Sequence, residues 1–212
     1  TLRREHFHLR DDDECYCLGE YEPRAGFGAG PVNNLIANLK KPVSKRGLPE
    51  YRHKEEAIRQ AAQLVRSAFQ SSQLAQCTFV PIPPSKMPGD PLFDDRLTRV
   101  LQTGTPELDV REVLTLRQSM RAHHEHADHE RRPGPEALRS LLAVDAAALA
   151  SPLRPTLVLF DDVLTAGTHF RACKDCLLPH APQARIVGLF LGRRRWQPAA
   201  DGVSSDRVPR RT

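Results

Sequence analysis

The chain lacks a long run of apolar residues. None of its apolar stretches approaches the roughly 20 residues that a helix needs to span a bilayer, and the start, Thr1-Leu2-Arg3-Arg4-Glu5, is too polar for a secretory signal. These absences exclude a membrane-spanning helix in this sequence. They favour a cytoplasmic protein with no membrane partner.

Cysteine is scarce, and its spacing is irregular. The five cysteines stand at positions 15, 17, 77, 173 and 176, an odd and scattered set that does not fit a disulfide framework. We therefore expect reduced thiols. The spacing His169-x-x-x-Cys173-x-x-Cys176 could suit a metal, but it lies on a helical pattern with an apolar stripe, which predicts buried core cysteines.

The chain has no internal repeat, and its 212 residues suit one α/β domain with a full core. We predict a single domain over residues 1–196, with a small hood from about residues 1–50 and the C-terminal part, and a disordered tail over residues 197–212. The net charge of +5 comes mostly from arginine. It suits a polyanionic small ligand, and it equally suits a nucleic acid bound through Arg193-Arg194-Arg195.

The most informative segment is the run from Thr156 to Thr168. Residues 157–160 are continuously apolar, which is typical of a strand buried on both faces of a parallel sheet, and ligands bind at the C-terminal ends of such strands. Asp161 and Asp162 follow, and adjacent carboxylates there need hydroxyls, a divalent cation or cationic side chains. Thr165-Ala166-Gly167-Thr168 then leads into a helical pattern, which predicts a phosphate-binding turn.

The segment Asp161–Thr168 resembles the phosphoribosyl pyrophosphate (PRPP) motif of type I phosphoribosyltransferases. The resemblance is strongest to ComF-like members and to phosphoribosyltransferase-like proteins of bacterial conflict systems, including retron cassettes. It implies an α/β fold with a doubly wound, mainly parallel sheet, helices on both faces and a small hood. It also implies contacts from Asp161 and Asp162 to the ribose hydroxyls and Mg²⁺, and 5′-phosphate binding by Thr165, Ala166, Gly167 and Thr168.

The activity implied by this resemblance is Mg²⁺-assisted transfer of a phosphoribosyl group from PRPP to a nucleobase or amine, with release of pyrophosphate. No general base can be identified from the sequence. The alternative is a sensor that binds PRPP or a nucleotide without turnover, as a component of a bacterial defence complex. A homo-oligomer also remains open.

Two interpretations of the motif do not involve PRPP. One is a buried strand that ends in solvated aspartates before an ordinary helix. The other is a Walker B strand, but no Gly-x-x-x-x-Gly-Lys-Ser/Thr loop occurs in the chain to cradle its phosphates.

A second anion site is predicted after an earlier strand, Thr78–Pro83. The turn Pro83-Pro84-Ser85-Lys86 would present a hydroxyl, an ammonium group and backbone N–H groups to an anion. It resembles the pyrophosphate loop of the same family, which implies that Ser85 and Lys86 contact pyrophosphate. A proline-rich strand terminator with an exposed lysine is the alternative.

The polar stretch 117–135 falls where the family has a mobile catalytic loop. The resemblance implies that Arg117, Arg121 and Arg131 stabilise the departing pyrophosphate. The histidines at positions 123, 124, 126 and 129 could bind a metal, but a solvated loop accounts for them equally well.

The acceptor side is predicted only in outline. Residues 21–41 and 193–196 are candidates for the hood, and Trp196 could stack on a base or cap the core. The remaining pattern predicts a short strand at 15–18, helices at 33–41, 55–69 and from 136, a strand at 110–116, and a strand–helix–strand unit ending in a strand at 185–191. Asn33 or Asn34 would cap the first helix.

Overall fold

The structure is a computed structural model, and it describes residues 5–104, 107–120 and 133–195. Eight strands lie in these ranges: β1 Glu14–Cys17, β2 Glu20–Tyr21, β3 Cys77–Pro81, β4 Asp109–Val110, β5 Leu114–Leu116, β6 Leu142–Val144, β7 Thr156–Leu164 and β8 Arg185–Arg194. Six α-helices accompany them: α1 Pro31–Leu39, α2 Arg52–Ser67, α3 Ser71–Leu74, α4 Arg96–Gln102, α5 Pro135–Leu141 and α6 Thr168–Leu177. Short 3₁₀ turns cover Gly26–Ala29, Val43–Lys45, Pro49–Tyr51 and Ala147–Leu149.

A parallel sheet forms the centre of the molecule. Its strands follow the order β1, β8, β7, β3, β4, with β2 also on β8, and every described pair is parallel. β5 and β6 form a separate antiparallel pair. β7 lies in the middle and is buried from Leu157 onward, as its continuous apolar run predicts.

Helices cover both faces of this sheet. Val158 and Phe160 of β7 pack on the face that carries α1, α2 and α4, whereas Leu157 and Leu159 pack against α5, α6 and the β5–β6 pair. Side chains alternate between the faces of a strand, so β7 contributes to both apolar clusters. The fold is therefore α/β with a mainly parallel central sheet, as predicted at that level.

Most sequence predictions of secondary structure are confirmed to within a few residues. These are β1, α1, α2, β3 and the unit β7–α6–β8. The predicted cap of α1 is wrong, because the helix begins at Pro31, whose fixed φ suits a first helical position. Asn33 instead accepts a hydrogen bond from the Glu22 N–H at 3.0 Å and donates to the Glu22 carbonyl at 2.7 Å.

The single strand predicted over 110–116 is also wrong. The chain leaves the central sheet after Val110, and Leu114–Leu116 pairs with β6. At the point of departure the Arg111 N–H still donates to the Phe79 carbonyl at 2.9 Å, and its guanidinium donates to the carbonyls of Ser151 and Pro152 at 2.7 and 3.0 Å. The helix predicted from residue 136 ends at Leu141, and α4 has no counterpart among the predictions.

All five cysteines are free thiols, and Cys173 is buried in the core as predicted. Among the residues that the structure describes, no helix is both long and apolar enough to cross a membrane. The predicted tail over 197–212 lies outside the described residues.

Candidate functional site

The acidic pair lies inside β7 rather than beyond its end. β3 pairs with β7 only as far as Phe160, whereas β8 follows β7 to Leu164. Asp161 and Asp162 therefore stand where the ladder with β3 has just stopped. Both are almost completely buried, with 8% and 3% of their surfaces exposed.

Asp162 is held by two cations. Arg96, at the start of α4, donates to Asp162 Oδ2 from Nε at 3.1 Å and from Nη2 at 2.6 Å. Lys40, just after α1, places Nζ 2.8 Å from Asp162 Oδ1. Burial raises the pKa of this carboxyl, but the charges of Arg96 and Lys40 outweigh it and lower the pKa to about 2. Asp162 is thus a carboxylate at neutral pH.

A buried lysine completes the network. Arg96 Nη1 also donates to Asp94 Oδ2 at 3.1 Å, and the same oxygen accepts from Lys54 Nζ at 2.7 Å. Lys54 is fully buried and donates to the Lys41 carbonyl at 2.8 Å as well. Lys54 therefore holds both Asp94, which binds Arg96, and the backbone of Lys41, which follows Lys40.

Asp161 faces a histidine. Its Oδ1 accepts from the Asp162 N–H at 2.7 Å, and its Oδ2 lies 3.6 Å from His169 Nδ1. Desolvation at this position disfavours the charged imidazole, but Asp161, with Asp162 behind it, raises the pKa of His169 above its ordinary value. His169 is nonetheless half exposed, so water can reach the ring.

The predicted turn Thr165–Thr168, called the phosphate loop below, joins β7 to α6. Gly167 has φ 87° and ψ 5°, a left-handed conformation that favours glycine, and α6 begins at the next residue. The first N–H groups of an α-helix have no partner within the helix and carry its positive dipole end. The loop thus presents donors suited to a phosphate.

The N-terminal segment crosses this loop, which the sequence did not predict. The His8 N–H donates to the Ala166 carbonyl at 3.0 Å, and His6 Nδ1 contacts the Thr165 carbonyl. The side chain of Leu9 lies against Gly167, where an added Cβ would come within 2.7 Å of its Cδ2. The segment uses loop carbonyls, so it leaves the helical N–H groups for a ligand.

Ion pairs anchor the N-terminal segment to α6. The fully buried Asp13 carboxylate lies 2.9 Å from Arg171 Nη1 and 2.6 Å from Lys174 Nζ. Within the acidic run at 11–14, which the sequence suggested only as a loop, Asp13 thus anchors the segment that carries residues 6–9 to α6.

A cleft of about 860 Å³ opens beside the loop. Thr165–Thr168 form part of its wall, together with His169 and Lys40, which connects the cleft to Asp162. Other parts of the wall are aromatic or apolar: Phe7, His8, Met120 and Leu138. The cleft thus combines anion donors with an apolar wall. Asp161 and Asp162 do not line it themselves, and they reach it through their partners His169 and Lys40.

The predicted pyrophosphate residues lie at the same edge of the sheet but in another cleft. Ser85 and Lys86 follow β3. The N–H of Ile82, the first residue after β3, still donates to the Phe160 carbonyl at 2.9 Å. The Ser85 carbonyl accepts from the Met120 N–H at 2.7 Å. Lys86 lines a small cavity of about 60 Å³ that is separate from the main cleft.

Of the three predicted catalytic arginines, only Arg117 is described. Its Nε donates to the Leu142 carbonyl at 3.0 Å, which ties it to the start of β6 rather than to the main cleft. Arg121 and Arg131 lie outside the described residues, as do the histidines at 123–129 and Trp196.

The described residues do not form a ready-made metal site. Within residues 5–104, 107–120 and 133–195, no three His, Cys, Asp or Glu side chains come together in a way that could hold an ion. Both oxygens of Asp162 are already bound by Lys40 and Arg96. A metal ion at Asp162 would therefore have to compete with these two cations.

Comparison of the chain with protein-family models, with curated proteins and with solved structures found no match. The interpretation of the site therefore depends on its own geometry and chemistry.

Proposed function

We propose that the chain has a type I phosphoribosyltransferase fold, binds PRPP, and transfers its phosphoribosyl group to a nitrogen nucleophile with release of pyrophosphate. One observation carries the proposal. The buried pair Asp161–Asp162 and the left-handed Gly167 follow one another along β7 and the loop before α6. Lys40 binds the Asp162 carboxylate and also lines the cleft.

The phosphate end of the ligand suits the loop. The 5′-phosphate accepts hydrogen bonds from the N–H groups of the first turn of α6 and from the hydroxyls of Thr165 and Thr168. A loop held in place by His6, His8 and Leu9 loses little entropy when it binds an anion.

The ribose end suits the carboxylates. Ribose hydroxyls donate hydrogen bonds, and the carboxyl oxygens of Asp161 and Asp162 can accept them. Arg96 and Lys40 hold the pKa of Asp162 low. In the free protein Lys40 and Arg96 bind the two oxygens of Asp162. A ribose hydroxyl that binds Asp162 would therefore replace Lys40. The displaced ammonium group of Lys40 is then free to approach the pyrophosphate.

Transfer forms a bond between the acceptor nitrogen and C1′ and breaks the bond between C1′ and the pyrophosphate oxygen. The electron pair leaves on pyrophosphate, and the acceptor nitrogen gives up a proton to solvent. Lys40, which lines the main cleft, would stabilise the leaving anion. Ser85 and Lys86 do not line this cleft, so the step does not depend on them. Mg²⁺ would neutralise part of this charge, held mostly by oxygens of PRPP with help from Asp161 and Asp162.

A thermal shift titration with PRPP and Mg²⁺ tests the proposal. Ligand at about a hundred times its dissociation constant adds roughly 2.7 kcal/mol, which is about 5–10 °C for a chain of this size. The double variant Asp161→Asn, Asp162→Asn should lose this shift relative to its own ligand-free midpoint. Asp145→Asn should keep it, because the Asp145 carboxylate accepts from the nearby Ala147 N–H and does not line the main cleft. No shift in the wild type, or the same shift in the double variant, overturns the proposal.

A second candidate is a PRPP or nucleotide sensor without turnover, within a bacterial defence complex. The observation in its favour is that Asp162 already carries two cations, and such a closed network can change its partners when a ligand arrives. Assays of pyrophosphate release with a panel of nucleobases and amines separate the two functions. Tight PRPP binding with no release in any assay favours the sensor.

A further inference from the structure

An exposed aromatic ring stands on the wall of the main cleft. Phe7 has 69% of its surface exposed, although it lines the same cleft as the phosphate loop. Its ring centroid lies 4.5 Å from that of His8, with the two planes tilted by 50°. A planar ligand that covers this ring would remove a large apolar area from water.

The backbone beneath Phe7 is fixed relative to the phosphate loop. Its neighbours His6 and His8 contact the carbonyls of Thr165 and Ala166, and Leu9 packs on Gly167. The backbone of Phe7 is therefore held beside the phosphate donors, with its ring on the wall of the same cleft. One ligand that carries both a phosphate and a ring can use them together.

A carboxylate beside Phe7 has unused capacity for a hydrogen bond. Glu5 lines the same cleft, and its Oε2 is buried with no partner among the described residues. A buried acceptor without a partner is costly, so it favours a ligand that brings N–H donors. Met120 and Leu138 also line the cleft, and such apolar surroundings suit a flat ring better than they suit a charged aliphatic amine.

We infer that the cleft binds a nucleoside 5′-monophosphate, with its phosphate on the loop Thr165–Thr168, its heteroaromatic ring on the Phe7–His8 pair, and N–H groups of the ring directed to Glu5. The inference rests on the proposed function, because such a nucleotide is the product of transfer to a nucleobase. It narrows the acceptor to a planar nitrogen heterocycle and excludes a simple amine.

Calorimetric titration with AMP, GMP, UMP and CMP, each compared with ribose 5-phosphate, tests the inference. Ribose 5-phosphate reports the phosphate and ribose contacts alone. At least one nucleotide should bind the wild-type protein about tenfold more tightly than ribose 5-phosphate, as expected for a base stacked on an aromatic ring. Phe7→Ala should abolish this difference and leave the affinity for ribose 5-phosphate unchanged.

Further variants distinguish stacking from a structural role. Phe7→Trp should keep the preference for the nucleotide, Glu5→Ala should reduce it, and Tyr16→Ala, which removes an exposed ring from β1, should leave it unchanged. The inference is overturned if no nucleotide binds more tightly than ribose 5-phosphate, or if Phe7→Ala weakens both ligands equally. Failure of PRPP and ribose 5-phosphate to bind at all would instead count against the proposed function.

Discussion

Arg96 donates two hydrogen bonds to one oxygen of Asp162, and the two residues are 66 positions apart in the sequence. The pair joins the start of α4 to the middle of β7, and Lys40 binds the other carboxylate oxygen. The acidic pair is therefore balanced within the chain itself. Any ligand that uses Asp162 must exchange with a cation, which makes the network a determinant of affinity as well as of stability.

Lys54→Met should destabilise the protein by about 3 kcal/mol. Lys54 is fully buried, and its loss leaves Asp94 with one cation fewer and the Lys41 carbonyl without its donor. Urea unfolding measures the change. Lys45→Met is the matched control, since Lys45 pairs with Glu50 on the surface at 3.6 Å, and it should cost less than about 1 kcal/mol. Equal effects of the two substitutions would show that the buried network contributes no more than a surface pair.

The phosphate loop and the strand before it could be predicted because their residues are contiguous. Hydrophobic pattern, acidic pair and glycine stand within thirteen positions, Thr156–Thr168, and local geometry decides their structure. The finer assignment of the fold to one family stays a prediction.

The cation network could not be predicted in the same way, because its members come from α1, α2, α4 and β7. No periodicity relates them. One signal was available: Lys54 stands four and seven residues before Ile58 and Ala61, on the apolar stripe of α2, where a lysine needs a buried partner. The N-terminal segment gave a weaker signal, since an acidic run reads as a solvated loop until α6 supplies Arg171 and Lys174.

The stability of the protein should fall more steeply in acid than that of Asp162→Asn. The folded-state pKa of Asp162, about 2, lies below its ordinary value of 3.8. Its contribution is therefore present above about pH 4 and is lost as the pH falls towards 2. The shift corresponds to about 2 kcal/mol. Urea unfolding of both proteins from pH 6 to pH 2, in metal-free buffer, measures the difference; parallel curves would show that Asp162 is not held ionised by its partners.

Asp13→Asn should loosen the N-terminal segment from the phosphate loop. The Asp13 side chain is fully buried between Arg171 and Lys174. These cations keep Asp175 and Asp12 as partners, so we expect a cost of about 2 kcal/mol from the lost charged hydrogen bonds. Hydrogen exchange of the His8 amide, which bonds Ala166, should become faster. The adjacent Glu14→Gln weakens exposed contacts with Arg185 and Tyr16, neither of which lies on α6, so exchange at His8 should be unchanged in that variant. An unchanged His8 amide in Asp13→Asn would mean that the segment is held by other contacts.

Gly167→Ala should weaken phosphate binding, because the added Cβ displaces Leu9 as well as straining the backbone of the loop. Gly167 has φ 87°, and a Cβ there would lie 2.7 Å from Leu9 Cδ2 and 2.9 Å from its Cγ, so the N-terminal segment must shift. Gly47→Ala is the matched control, because Gly47 has φ 91° and nothing within 4 Å of an added Cβ. Both should lose about 1–2 kcal/mol for the left-handed conformation. Only Gly167→Ala should add about 1–3 kcal/mol for the clash and lose affinity for PRPP, measured by urea unfolding and calorimetry. Similar stability losses and full PRPP affinity in both variants would show that Leu9 does not shape the loop.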